Sequence, residues 1–423
     1  MGHSNPNTTP SPVILFRHAF DWFLTGRFFS RLGDKLLLVA LPLLVLKAGY
    51  STGLLGLLAV VQYGANLVGG PVGGALIDRV NRRHLMAGIA WIQALAVAGV
   101  TVAIRIHNAF EVVLIGSIFL LHFAGMINRV NRFSMTALFA GRGAIAQANA
   151  RIQIMESAAR LVGPAIAGFL IARVSLNAAL WLDAATFVIM FIVTVVFVPP
   201  TLFRPVSSTS RTFSWSSLQA ILSLIRRDRH VSMFVAVDAA MSPVFAVIAT
   251  FIVYDMHITV GFTAEHIGIA LGITAALSLI FAVMMARISR LIALRRRYFL
   301  MSALIACGVG LLVVSRATVA LPFVGGYILF VLGMELFQQQ YHTYLQTQTP
   351  EAAHGRLFAV SSSLSNFTSP VVVLAVGIAS RIFGLSLVLV PLEALILFSL
   401  LLLASTRRAG PDTTAIETGL PPA

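Results

Sequence analysis

The sequence predicts an all-α integral membrane protein of about twelve transmembrane helices, arranged as two pseudo-symmetric six-helix bundles. Three observations carry this. First, the 423 residues are 58% apolar and 11% charged, with a mean hydropathy of +0.90, whereas an ordinary soluble domain is about a quarter charged. Second, at roughly 20 residues per span, the apolar runs divide into six, a polar interval, and six more. Third, Gly49-Tyr50-Ser51 followed by Leu55-Gly56-Leu57 recurs half a chain later as Gly261-Phe262-Thr263 followed by Ile267-Gly268-Ile269. The matched positions open spans two and eight.

Taken in order, residues 1–20 form a polar tail. Its Ser, Pro, Asn and Thr lack the basic region and short apolar core of a cleaved signal peptide. Apolar runs at 21–47, 52–77, 84–105, 110–131, 147–172 and 177–198 make the first bundle, 21–198. Residues 199–230 are a polar linker, since such a stretch joins bundles rather than burying itself. The second bundle, 231–405, has runs at 231–256, 264–288, 297–315, 320–345, 356–381 and 384–405, and a tail follows at 406–423.

The net charge of +15 suggests phosphate backbones, but the basic residues cluster between apolar runs, where they set orientation in a bilayer. Arg79, Arg82, Arg83, Arg129, Arg132, Arg142, the linker arginines and those from Arg287 to Arg297 all fall on one face. Lys47, Arg105, Arg173, Arg316 and Arg381 alone fall on the other. That bias places both termini in the cytoplasm of a cell whose plasma or inner membrane holds the protein, and no nucleic-acid partner is expected. Cys307 is the only cysteine, which excludes an intramolecular disulfide and any multi-thiolate metal site. No cofactor is expected.

The turn after span two reads Gly74-x-x-x-Asp78-Arg79-x-Asn81-Arg82-Arg83. It resembles the signature between helices two and three of the major facilitator superfamily, with Asn81 standing where that family has Gly. Asn tolerates a left-handed backbone, so the turn is expected to be kept. Other stretches resemble the drug and siderophore exporter branch, which includes enterobactin exporters and macrolide efflux proteins. They are Leu32-Gly33-Asp34, Ala40-Leu41-Pro42, Ala148-Asn149, Gly163-Pro164-Ala165-Ile166-Ala167-Gly168, Leu182-Asp183-Ala184, and Thr349-Pro350 with Gly355-Arg356. The resemblance implies the major facilitator fold. It also implies a cytoplasmic gate in which Gly74, Asp78, Arg79, Arg82 and Arg83 form the turn and Asp78 engages the start of span eleven. The Gly163, Pro164 and Gly168 element is typical of a kink and close helix approach, and in the resembled family it accompanies antiport.

An ionisable group inside a span costs about 2.5–3.5 kcal/mol on insertion scales, so each needs a reason. Span one carries Arg27, Arg31, Asp34 and Lys35. Arg27 can snorkel to the surface, whereas Asp34 is deeper and too short to follow. The resemblance implies that span one lines the cavity, which makes Asp34 a candidate proton-responsive carboxylate, with a static pair to Arg31 or Lys35 as the alternative. The resemblance implies that span ten lines the cavity too, so Glu335 ranks beside Asp34; it is followed by Gln338, Gln339 and Gln340, which cannot all face one way. Asp238 in span seven and His122 in span four complete the coupling and substrate candidates. Glu156 and Arg160 have the spacing of an intrahelical pair, and the resemblance, in which spans six and twelve are peripheral, implies helix packing for Asp183 and Glu393. Many relatives place an Arg in span four, four residues before a Gly, but here Leu121 precedes Gly125.

The function expected is proton-coupled efflux of an amphipathic small molecule, such as a drug, macrolide or siderophore, by a monomer whose two bundles rock about a midplane site. Uptake by symport and movement of lysophospholipids are the alternatives within the same fold. A membrane-embedded transferase would need paired carboxylates for a metal-diphosphate, and the sequence has no Asp-x-x-Asp run. A primary pump would need a Gly-x-x-x-x-Gly-Lys-Ser/Thr loop, and none is present.

Overall fold

The computed structural model describes residues 17–103, 106, 109–140, 145–199, 229–288, 295–348 and 351–405. Within the helices, the side chains of 77–78, 133–134, 137–138, 140, 145–146, 229–231, 286, 296–297, 342–348, 351–366 and 405 lie outside the description. The described residues contain no strand. They form twelve helices: α1 (Arg17–Lys47), α2 (Thr52–Arg79), α3 (Arg82–Ala103), α4 (Phe110–Ala140), α5 (Ile145–Arg173), α6 (Leu176–Phe197), α7 (Arg229–Ile258), α8 (Ala264–Arg287), α9 (Arg296–Arg316), α10 (Ala320–Gln348), α11 (Glu351–Phe383) and α12 (Leu385–Ser405). All twelve coincide with the apolar runs. The largest departure is α4, which continues past its run to Ala140.

Ten of these helices are long and apolar enough to cross a bilayer. In α1, Arg27, Arg31, Asp34 and Lys35 interrupt the apolar sequence, and α11 contributes the apolar stretch Phe367–Phe383. Leu67, Trp91, Leu95, Trp181, Ile280 and Leu401 are each about half exposed on the outside of the molecule. Such a surface would be an aggregation liability in water and suits hydrocarbon.

In the first six helices, α1 packs on α5 and α6, α3 on α4 and α6, and α2 on α4. In the last six, α9 packs on α10 and α12, and α7 on α11 and α12. The halves meet along two seams, α5 with α8 and α2 with α11. Each seam closes where glycine lets two backbones touch. A Cβ built on Gly268 would lie 2.5 Å from Pro164 O and 2.9 Å from Gly168 Cα, and one on Gly56 would lie 3.1 Å from Val373 O. Beside Gly56, Thr52 Oγ1 donates to Gly377 O at 3.1 Å, and Ser380 Oγ donates to Thr52 Oγ1 at 2.7 Å.

These contacts all use the C-terminal parts of α5 and α11 and the N-terminal parts of α2 and α8. With an even number of helices, both chain termini lie at the other end. The halves are therefore shut together at the end away from the termini. Gly56 and Gly268 are equivalent positions of the half-chain repeat, so the repeat builds two matching seams.

The repeat also sets the turns into α2 and α8. Gly49 and Gly261 have φ of +79° and +73°, a left-handed backbone that costs a side chain about 1–2 kcal/mol. Gly49→Ala or Gly261→Ala is accordingly expected to lower stability by about 1–2 kcal/mol, read as an earlier thermal unfolding midpoint in micelles. An unchanged midpoint in both variants would refute the strain argument.

Asn81 departs from expectation. Among the described residues no non-glycine has positive φ, so Asn81 is not left-handed. Its Oδ1 instead accepts from the Arg83 backbone N–H at 2.9 Å, satisfying one of the free donors at the start of α3 as a capping residue does.

Candidate substrate site

Three cavities bring the ionisable residues together. The first, about 290 Å³, lies inside the first half among α1, α2, α3 and α4 and is lined by Arg31, Asp34, Lys35, Gln93, His122 and Arg129 among others. A second, about 210 Å³, shares Asp34, Leu37, Gln62 and His122 with it and continues between apolar side chains toward α7. The third, about 360 Å³, lies between the halves, where Ser157 and Arg160 of α5 face Ser278 and Phe281 of α8 and Glu335, Gln338 and Gln339 of α10.

Asp34, Arg31 and His122 thus share one cavity system, and Glu335 and Gln338 share another. Asp238 on α7 is half-buried and lines none of the three. Asp34 Oδ2 accepts from Arg31 Nη1 at 2.8 Å, with both side chains about one-third exposed, so the static pair is present. Glu335 is open to its cavity, hydrogen-bonded to Ser278 and within electrostatic range of Arg160. Gln338 and Gln339 line that cavity while Gln340 turns into the core at 3% exposure.

The expected Glu156–Arg160 pair does not form. Glu156 Oε1 accepts from Arg27 Nη2 and Arg132 Nη1, both at 2.7 Å, with Arg31 Nε at 3.6 Å. Arg160 Nη2 donates instead to Ser157 Oγ at 2.8 Å. An isolated i, i+4 pair contributes only about 0.2–0.5 kcal/mol, so several guanidiniums reaching in from α1 and α4 outweigh it. Arg27 is likewise not a snorkelling residue: it is 4% exposed and joined to Glu156. Arg129 and Arg132, which look like orienting charges, point one into the first cavity and the other onto Glu156. Their three-residue spacing on α4 was the available signal, because it puts both on one helix face.

Asp183 of α6 is fully buried against Gly33. Glu393 of α12 accepts from Ser315 Oγ at 2.7 Å and lies 3.3 Å from Arg316 Nη1, tying α12 to α9. Of the kink element, Gly163 seats the Lys35 stem, with a built Cβ only 2.5 Å from Lys35 Cβ, while Pro164 and Gly168 form the α8 seam.

At the charged turn, Arg83 Nε and Nη2 donate to Thr194 O and Val195 O at 3.3 and 2.5 Å. A cation is thereby placed on the last carbonyls of α6, where the helix dipole favours it. Asn131 Nδ2 donates to Arg82 O at 3.2 Å, tying α4 to the turn. Arg79 is exposed, and among the described residues a Cβ on Gly74 would meet nothing within 4 Å. The side chains of Asp78 and of residues 351–366, where span eleven begins, lie outside the described residues.

A family model described as Major Facilitator Superfamily matches residues 23–373. No curated protein matches the sequence. Among solved structures, a bacterial homologue of the iron transporter ferroportin in an inward-facing state is similar at 16% identity over 92% of this chain and 98% of that one, with a TM-score of 0.70. The nucleoside transporter NupG is similar at 13% identity over 92% and 100%, with a TM-score of 0.72. A bacterial ferroportin homologue in an outward-facing state gives 0.56, at 16% identity over 92% and 99%. At such identities the likeness extends to the fold alone.

Proposed function

The chain belongs to the Major Facilitator Superfamily, and we propose that it exports an amphipathic small molecule from the cytoplasm in exchange for protons, as a monomer in a bacterial plasma or inner membrane with both termini cytoplasmic. The observation that carries this reading is the cavity between the halves. It combines apolar walls with one open carboxylate, Glu335, facing Arg160 across it, and the end of the molecule away from the termini is shut by the two glycine seams. Binding space reached from one side at a time is the requirement of alternating access.

Glu335 is the coupling carboxylate in this reading. Among the described residues it has no ion pair within 4 Å, so gain or loss of a proton there changes the net charge of the cavity. Asp34, already paired with Arg31, holds the first cavity's cations in place. The charged turn is the gate of the opposite state. When the halves separate at the glycine seams, Gly74 and Asp78 close against the start of α11.

The test uses inverted vesicles with an imposed proton gradient, to which macrolides, siderophores and other amphipathic compounds are added while lumenal pH is followed. Substrate-dependent proton release is expected, and Glu335→Gln is expected to reduce it about tenfold or more, by analogy with loss of a positioned proton carrier. Substrate equilibration that ignores the gradient would overturn proton coupling. Full release by Glu335→Gln would remove this residue from the role.

A further inference from the structure

We infer that the cavity inside the first half is an anion site, and that the transported molecule carries an anionic headgroup on an apolar body. The inference deepens the reading of the chain as a carrier of amphipathic molecules and rests on it.

The charge balance is the starting point. Arg27, Arg31, Lys35 and Arg129 line the cavity, and Arg132 joins them through Glu156. Against these five cations stand two carboxylates, Asp34 and Glu156. Both are already engaged, Asp34 by Arg31 and Glu156 by Arg27, Arg31 and Arg132. Among the described residues, Lys35 and Arg129 have no carboxylate within 4 Å. Surplus positive charge inside a span is costly, and such groups normally pair with one another or with a ligand.

Orientation in the bilayer does not account for Lys35. It lies eighteen residues into α1, about 27 Å from the helix start at 1.5 Å per residue, past the middle of a span whose terminal end already carries Arg17. Its stem is also seated: Gly163 leaves room for Lys35 Cβ and Cγ, where a built Cβ would come within 2.5 and 2.9 Å. The ammonium is thereby held in the cavity rather than led to the surface. Neutral groups that can complete an anion's shell are at hand, including the Gln62 amide and the His122 ring.

The apolar half of the ligand has a place as well. The neighbouring cavity opens from Asp34, Gln62 and His122 and passes Leu41, Leu58 and Ile118. A carboxylate or phosphate monoester held in this basic cavity would extend its apolar body along the second chamber. A cationic amphiphile would meet the same chamber behind an unfavourable field.

The full-length protein in phosphatidylcholine nanodiscs is titrated with three dansyl amphiphiles of equal chain length, ending in a carboxylate, a primary amide or a quaternary ammonium. Saturable dansyl emission reports binding at equilibrium. The carboxylate is expected to bind about tenfold tighter than the amide, as a charge-assisted contact implies, and the ammonium more weakly than either. Lys35→Gln and Arg129→Gln should each remove most of the preference for carboxylate over amide, and Lys35→Arg should retain it. An ammonium bound as tightly as the carboxylate would overturn the inference, as would a carboxylate preference that survives both substitutions.

Replacing part of the phosphatidylcholine by phosphatidylglycerol separates two sources of the same chemistry. Loss of carboxylate binding alone identifies an anionic membrane lipid as the occupant, and unchanged binding identifies a soluble amphiphile; both uphold the anion site. No gradient is present, so failure of proton coupling and failure of headgroup selectivity are read independently.

Discussion

Glu156→Gln is expected to destabilise the protein by about 3–5 kcal/mol, the usual cost of removing one partner from a buried ion cluster. One carboxylate oxygen accepts from Arg27 and Arg132 at 2.7 Å with Arg31 at 3.6 Å, and the Arg27, Arg132 and Glu156 side chains are 5%, 15% and 16% exposed. A glutamine keeps the shape but not the charge, leaving three guanidiniums from α1 and α4 facing one another. Glu156→Asp retains the charge on a shorter stem and should fall between. Arg160→Gln should change stability by no more than about 0.5 kcal/mol, as at an ordinary surface position, because among the described residues the exposed Arg160 has no ion pair and donates to Ser157 alone. Thermal or denaturant unfolding in micelles reads all three. Equal costs for Glu156→Gln and Arg160→Gln would restore the intrahelical pair and remove the cluster.

Gly268→Leu is expected to drive the halves apart at the end away from the termini and to reduce transport about tenfold or more. Pro164 O and Gly168 Cα already stand 2.5 and 2.9 Å from where its Cβ would be, so the added side chain has no room unless α5 and α8 separate. Overpacking of this kind costs about 1–3 kcal/mol, and a bias of that size moves a two-state equilibrium roughly tenfold. Spin labels at Arg173 and Glu265, whose side chains pair across the same seam at 3.7 Å, would report a longer distance in the variant. Gly116→Leu supplies the comparison, since a Cβ there meets nothing within 4 Å, and its distances should match the parent. An unchanged seam distance in Gly268→Leu would show that this contact does not hold the closed end.

The sequence by itself determined the twelve spans, their order, the six-and-six division of apolar runs and the repeat that places Gly56 and Gly268 at equivalent seams. It could do so because the bilayer imposes its demand locally: each span must satisfy its own backbone and present an apolar surface. It also singled out the charged residues that need a reason, since any of them within a span is costly regardless of its neighbours. Asp34, Arg31, His122 and Glu335 were singled out in this way and Gln338 by its run of glutamines; the cavities that they line were not legible.

Only the tertiary structure decided who answers to whom. Spacing pointed Glu156 at Arg160, but guanidiniums on long stems from α1 and α4 reach it more favourably. Snorkelling suited Arg27 until α5 supplied a carboxylate beside it. Asn81 looked like a left-handed residue and is a cap, because the nearby Arg83 N–H lacks a helical partner. Which end of the molecule is shut could not be read from the chain either. The closed end is set by contacts between helices hundreds of residues apart, such as Thr52 with Gly377 and Ser380, rather than by any local pattern.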